Sequence, residues 1–391
     1  MFELSPIQTA LREQGVDGWL LYDFRGSNIL AQRVVQLPAE AHCTRRWLYW
    51  IPAEGQPLKL CHRIEGHLLD HLPGEKRSYL KWQEFEAGVA ELLKGQKRIA
   101  MEYSPRNGNP YLSRVDAGTI ELVRSLGCEI VSSGDLVQQF EAVWTREQWD
   151  LHQAAGVVTD SAFSLAWTYI AQQIREQGET TEQAVQQQIL EHFARHDVIT
   201  DSGPIVAVGP HSGDPHYETG DSPIRAGDFV LVDLWAKRAV PNGVYSDLTR
   251  VGFVGASVPE TYARVFQIVA QARDAAIQTV REAFAQRRPI CGWEVDAACR
   301  KVIEEAGYGA AFVHRTGHSI GRETHGNGAN MDNLETHDER HLLPGTCFSI
   351  EPGIYLPEFG IRSEVNVFID WDARVHVTAG EVQRAIQAIE A

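Results

Sequence analysis

A chain of 391 residues, 43% apolar and 23% charged, has room for two or three domains and the composition of a soluble globular protein. Its formal net charge of -16 argues against nucleic acid and anionic membrane as partners, because both require a basic face. The six cysteines are scattered, with no Cys-x-x-Cys pair, and read as reduced thiols of a cytoplasmic protein. The N-terminus, MFELSPIQTALREQG, is polar and unlike a secretory signal, and no apolar run approaches the roughly 20 residues of a membrane helix.

Residues 1–140 read as a smaller α/β domain. Ile7, Leu11 and Val16 suggest a helix, followed by the strand signal GWLLYDF. RRWLYWIPAEG and KRIAMEYSP are further strands, ended by Pro52 and Pro105. Phe85, Val89, Leu92 and Leu93 mark a helix between them. Trp47, Tyr49 and Trp50 fit either a packed strand or, with Arg45 and Arg46 beside them, an interface or substrate-entry surface. Residues 132–150 form the passage to a second domain, 141–391, with Thr145 as the N-cap of a long helix. Thr180 with Gln183, and Ser257 with Glu260, form capping boxes ahead of two more helices. Val295, Ala298, Val302, Ile303 and Ala306 form another helical stripe, closed by Gly307. PIVAVG, FVLVDLWA, TCFSIEPGIY and IRSEVNVFID read as strands, which makes the second half α+β or α/β.

Five residues stand out against this framework: Asp233, Asp247, His318, Glu351 and Glu364. Four carboxylates and one imidazole suit one or two hard or borderline divalent cations better than a structural zinc. Asp233 interrupts an apolar run, so its charge needs a compensating metal or an arginine. In IRSEVNVFI, strand parity puts Arg362 and Glu364 on one face and Val365, Val367 and Ile369 on the other. His314, His318 and His325 gather around Gly317 and Gly321, whose bare backbone permits close approach. Glu351 stands where an apolar strand breaks at Pro352 and Gly353, a position that an ordinary turn residue also fits.

Taken together and in order, LVD, SDLTR, GHSIG, IEPGIY and GIRSE resemble the pita-bread metallopeptidases, over about the last 240 residues. That family includes methionine aminopeptidase, Xaa-Pro aminopeptidase and Xaa-Pro dipeptidase. The resemblance implies a pita-bread catalytic domain behind a creatinase-like N-terminal domain, with the acids on the concave face of a curved sheet. It implies two divalent ions, manganese foremost, with cobalt or zinc as alternatives. Asp233 would bind one ion, His318 and Glu351 the other, and Asp247 and Glu364 would bridge them. Glu351 would move the proton of the attacking water. His216, in PHY, and His325 would line the substrate site and steady the oxyanion. His314 matches a histidine of the proline-specific branch, and Arg362 would orient Glu364 or meet substrate.

The chain departs from the family pattern at Ser319, Gly326 and Val244, the last standing where proline-specific members carry tyrosine. Tyr245 is adjacent and is expected to point elsewhere. The KRAVPNGV link between Asp233 and Asp247 is longer than usual. The N-terminal domain and His314 favour the proline-specific branch over methionine aminopeptidase, and within it an Xaa-Pro dipeptidase acting on short proline-containing peptides is the first reading and Xaa-Pro aminopeptidase the alternative. A metal-free creatinase-like hydrolase or a non-catalytic binding protein would have lost ligands, and here all five positions are filled. A homodimer follows from the resemblance alone.

Overall fold

The computed structural model of the protein describes residues 2–38 and 40–391. The chain divides into two compact units, Met1–Glu141 and Ala142–Ala391.

The first unit is built on six strands: β1 Gly18–Asp23, β2 Trp47–Pro52, β3 Leu58–His62, β4 Glu75–Tyr79, β5 Arg98–Met101 and β6 Glu129–Ser132. They form one mixed sheet in the order β4-β3-β2-β1-β5-β6. Five helices accompany it: α1 Leu4–Glu13, α2 Ile29–Val34, α3 Trp82–Leu92, α4 Ala117–Ser125 and α5 Gly134–Glu141. The central strands β1 and β2 are covered on both faces and buried almost along their whole length, whereas the edge strand β4, EKRSY, is largely exposed. Trp47 and Tyr49 join one core and Trp50 the opposite one, each at most 2% exposed. The aromatic run is therefore core, and the interface reading of it is withdrawn. Part of the expected inter-domain passage is also structured: Leu136 and Val137 of α5 pack into the first unit's core.

The second unit opens on α6, Arg146–Gln177. Its capping box pairs Thr145 Oγ1 with Gln148 N–H at 3.2 Å and Gln148 Oε1 with Thr145 N–H at 2.9 Å. There follow β7 Glu179–Thr181, α7 Glu182–Arg195, β8 Val198–Ile199, β9 Ile205–Val208 and β10 Pro223–Arg225. Next come the long hairpin β11 Phe229–Arg238 and β12 Tyr245–Val254, then α8 Glu260–Ala285 and α9 Gly292–Glu305. The remaining strands are β13 Ser319–Ile320, β14 Cys347–Ile350, β15 Gly353–Tyr355, β16 Gly360–Arg362, β17 Val365–Ile369, β18 Val375–Thr378 and β19 Gln387–Ile389. Two sheets dominate: β19-β12-β11-β8, with β9 also on β11, and β13-β14-β17-β18.

Two helix starts differ from expectation. Thr180 is buried in β7 opposite Ile224, so the chain turns one residue later and Thr181 caps α7. Ser257 caps nothing, because α8 begins after Pro259. A proline disfavours helical geometry at the residue before it, here Val258, which rules out a start at Ser257. Helix α9 ends as its sequence suggests. Gly307 takes φ +86°, its N–H reaches Glu304 O, and Tyr308 N–H reaches Ile303 O.

The hairpin explains why an acid can sit inside an apolar run. Val230, Val232, Leu234 and Ala236 face the core beneath α6 and α7. On the opposite face, Phe229 and Leu231 join the core of α8 and α9. That second core stops at Leu231, and the next two residues of the same parity are Asp233 and Trp235. On β12, Val251 and Phe253 join the same core, and Thr249 and Asp247 lie beyond it. One face of one hairpin thus passes from core to site along its length.

Candidate metal centre

Register assembles the first ligands. Asp233 pairs with Thr249 and Trp235 with Asp247, so all four side chains share one face. Glu364 enters from the break between β16 and β17, where its N–H donates to Thr249 O at 3.3 Å. The sequence reading treated 361–369 as a single strand; it is two, in two different sheets, separated at Ser363 and Glu364. This break lets Arg362 and Glu364 both serve the site while Phe368 is fully buried with Trp144. Asn366 clasps the other side, accepting from Asp247 N–H at 3.0 Å and donating to Asp247 O.

His318 precedes β13. Its Nε2 lies 3.5 Å from Asp247 Oδ2 and 3.3 Å from Glu351 Oε1. Its Nδ1 lies 3.1 Å from the Ser319 carbonyl, which can only accept. Nδ1 therefore carries the proton, and Nε2 offers its lone pair to the site. Ser349 ties this pair together: Oγ accepts from His318 N–H at 2.9 Å and donates to Glu351 Oε1 at 3.0 Å. Gly317 makes the close packing possible, since a Cβ there would lie 1.9 Å from Ser349 O.

Arg362 is buried and fully engaged. It ion-pairs with Asp233 Oδ2, its Nε donates to Thr249 Oγ1 at 3.0 Å, and its Nη1 donates to Tyr355 OH at 3.1 Å. Thr249 in turn donates to Glu364 Oε2 at 2.8 Å. Arg362 thus holds Asp233 directly and reaches Glu364 only through a hydroxyl. Tyr355 OH, receiving from Arg362, has its own proton for His314 Nε2 at 2.7 Å. His314 Nδ1 faces Arg315 O at 2.7 Å, so the neutral ring satisfies both contacts.

The electrostatics call for cations. Burial, with Asp247 and Glu351 adding to it against Arg362, raises the Asp233 carboxyl from 3.8 to about 7. Asp247 and Glu364 are pushed well above the usual range, first by burial and then by neighbouring carboxylates. Burial also opposes the charge on Glu351, but His318, His314 and Arg362 outweigh it and hold that carboxyl low. Burial lowers His318, and lowers His314 to about 4. Asp233 Oδ1 is buried without any hydrogen-bond partner. An orphaned carboxylate oxygen among repelling carboxylates fits a bound metal, and one atom each from Asp247, His318 and Glu364 lie within 4.8 Å of one another.

The remaining histidines sit further out. The His325 ring meets His318 edge-on at 4.3 Å between centroids, and His318 with burial lowers it to about 4. His216 is exposed on a turn, its N–H on Asp214 Oδ1; its neighbour Pro215 offers its carbonyl to Arg362 at 3.4 Å. Tyr245, expected to point away, lies two residues before Asp247 on β12 and so shares the face of the acids. Val244 is wholly buried at the hairpin end instead. Thr249, Ser349, Tyr355 and Asn366 were not singled out from sequence. Strand parity carried a signal for Thr249, two residues after Asp247, and for Asn366, two residues after Glu364.

Fold and site together define a metal-dependent peptidase. The sequence pattern of metallopeptidase family M24 matches residues 150–370, and the chain belongs to that family. The chain is 28% identical over 333 residues to the probable dipeptidase PepE of Mycobacterium tuberculosis, covering 84% of this chain and 82% of that one. It is 29% identical over 248 residues to the Xaa-Pro dipeptidase of Pyrococcus furiosus, covering 63% and 66%. Among solved structures, dipeptidase PepE from Mycobacterium ulcerans shares the pita-bread fold at TM-score 0.69 and 24% identity, over 99% of this chain and 97% of that one. A Pyrococcus horikoshii dipeptidase matches at TM-score 0.61 and 25% identity, over 98% and 99%.

Proposed function

We propose that this metallopeptidase hydrolyses the Xaa-Pro bond of dipeptides. The observation that carries the metal chemistry is the group Asp247, His318 and Glu364, one atom of each within 4.8 Å of the others, with Glu351 against His318 and an unpartnered oxygen on Asp233. Proline specificity is supported by the names of relatives, the Xaa-Pro dipeptidase of Pyrococcus furiosus among them. Asp233, Asp247, His318, Glu351 and Glu364 would hold the divalent cations. Divalent ions bound there, manganese foremost, supply a water acidic enough to attack near neutral pH and an electrophile for the carbonyl oxygen.

The chain's own groups do the rest. Glu351, whose carboxyl is held below its ordinary value, takes the proton of the attacking water and passes it to the leaving nitrogen. Ser349 fixes the orientation of that carboxylate. His325, its proton affinity lowered, donates as a neutral imidazole toward the developing oxyanion, and His216 approaches from the opposite turn. Arg362 and Thr249 hold Asp233 and Glu364 in place. We further propose that residues 141–391 are the catalytic domain, that residues 1–140 form a creatinase-like domain limiting substrate length, and that the protein is a cytoplasmic homodimer.

Xaa-Pro aminopeptidase is the second reading, supported by the match to the X-Pro aminopeptidase of Thermotoga maritima at TM-score 0.57 and 23% identity, over 97% of this chain and 100% of that one. The test strips the protein with chelator, reloads manganese and compares an Xaa-Pro dipeptide with the matching Xaa-Pro-Xaa tripeptide. Cleavage of the dipeptide alone is expected. Preference for the tripeptide would make it an aminopeptidase, and cleavage of neither would sink both readings.

A further inference from the structure

One carboxylate at the edge of the site has no part in the reaction described above. Asp201 is exposed on the loop between β8 and β9. Trp235 Nε1 donates to its Oδ1 at 2.6 Å, while Thr324 Oγ1 stands 3.5 Å from its Oδ2. Trp235 lies two residues beyond Asp233 on β11 and pairs across the hairpin with Asp247. Its indole therefore rises from the same face as the acids and ends at Asp201. Thr324 directly precedes His325, whose ring packs against His318. The Tyr245 ring, on the same face, is buried and already covered by the chain's own Lys237 ammonium, 4.8 Å from its centroid, which leaves Trp235 as the more exposed ring.

The half-buried Trp235 indole thus forms an aromatic wall that ends in a carboxylate. Such a wall matches a long basic side chain, with the stem lying on the ring and the cationic tip meeting the acid. We propose that Asp201 is a specificity residue favouring lysine or arginine on the amino-terminal side of the scissile bond. This rests on the peptidase reading above. The substrate's α-ammonium is the other source of positive charge. It sits next to the scissile carbonyl and so falls among the ligand carboxylates. Asp201 stands an indole's length further out, where the tip of a long side chain reaches. Its Oδ2, with only a long contact to Thr324, keeps room for N–H donors of an ammonium or guanidinium.

The test measures kcat/KM of the manganese-loaded protein on Arg-Pro and Leu-Pro at low and raised salt. Wild type is expected to prefer Arg-Pro by about fivefold to tenfold, mostly through KM, with the preference shrinking as salt rises. Asp201→Asn should erase the ratio, and Asp201→Lys should turn it toward Glu-Pro. Equal losses on both peptides in Asp201→Asn would overturn the proposal and leave Asp201 a loop anchor or an α-ammonium contact. Absence of any wild-type preference would overturn it as well. If neither peptide is cleaved, the peptidase reading has failed separately. Calorimetric binding of the two peptides then decides, and equal affinities would count against Asp201.

Discussion

At the scale of single residues, the site depends on charges that the folded chain alone leaves uncompensated. Asp247→Ala or Glu364→Ala is expected to abolish both metal loading and turnover, measured by elemental analysis beside activity; full activity in either variant would remove it from the ligand set. His325→Ala should keep its metal and lose about 10²–10⁴-fold in kcat, and metal loss instead would place His325 among the ligands. The pH dependence follows from Asp233. Its folded carboxyl titrates at about 7 against an ordinary value of 3.8, so the metal-free folded state holds an extra proton between them. The stability of metal-free protein therefore falls as pH rises through that window. Cation binding needs the ionised form, so the stabilisation by manganese grows over the same range. Melting temperatures of chelated and manganese-loaded protein from about pH 5 to 8 check this sign. A gap that narrows with rising pH would contradict it.

At the scale of elements, the site is a meeting of strand ends. The hairpin delivers Asp233 and Asp247 by register, and the break after Arg362 delivers Glu364. The strand before the break pairs with β15, which brings Tyr355 to Arg362, and the strand after it pairs with β14, which sets Ser349 opposite Asn366. Gly317 is the tightest of these joints. Gly317→Ala would drive a methyl into Ser349 O, and a cost of about 1–3 kcal/mol is expected, read by denaturant unfolding. Because Ser349 positions both His318 and Glu351, metal affinity should weaken in the same variant. Unchanged metal affinity in a folded variant would show that Ser349 does not set the ligand geometry. The missed helix starts have a common cause: Thr180 and Ser257 each carry the right local pattern, and strand pairing in one case and Pro259 in the other override it.

At the scale of the whole molecule, each unit has cores of its own. Two belong to Met1–Glu141, and the cores of α6 to α9 belong to Ala142–Ala391. All the proposed ligands lie in the second unit. Calorimetry of the intact chain should therefore show a transition that rises with added manganese and another that does not. A single transition that moves as one would show that the two units unfold together. Among the described residues no helix is long and apolar enough to cross a membrane.

Sequence alone determined the five residues of the proposed metal set, the helix signals at Thr145 and Gly307, and the strands that carry the acids. Asp233 and the caps were legible because a carboxylate inside an apolar run and a cap beside a periodic stripe are local anomalies, whereas the full set of five came from the order of the motifs and the family they resemble. Only the tertiary structure decided that Arg362 holds Asp233, that Tyr245 rather than Val244 faces the acids, and that Ser349, Thr249 and Tyr355 support them. Asp201 belongs to this second group. Its loop looks ordinary in the sequence, and only the fold places it against Trp235. Hydrogen-bond partners that lie about a hundred residues apart leave no mark on local composition, because what selects them is shared position rather than pattern.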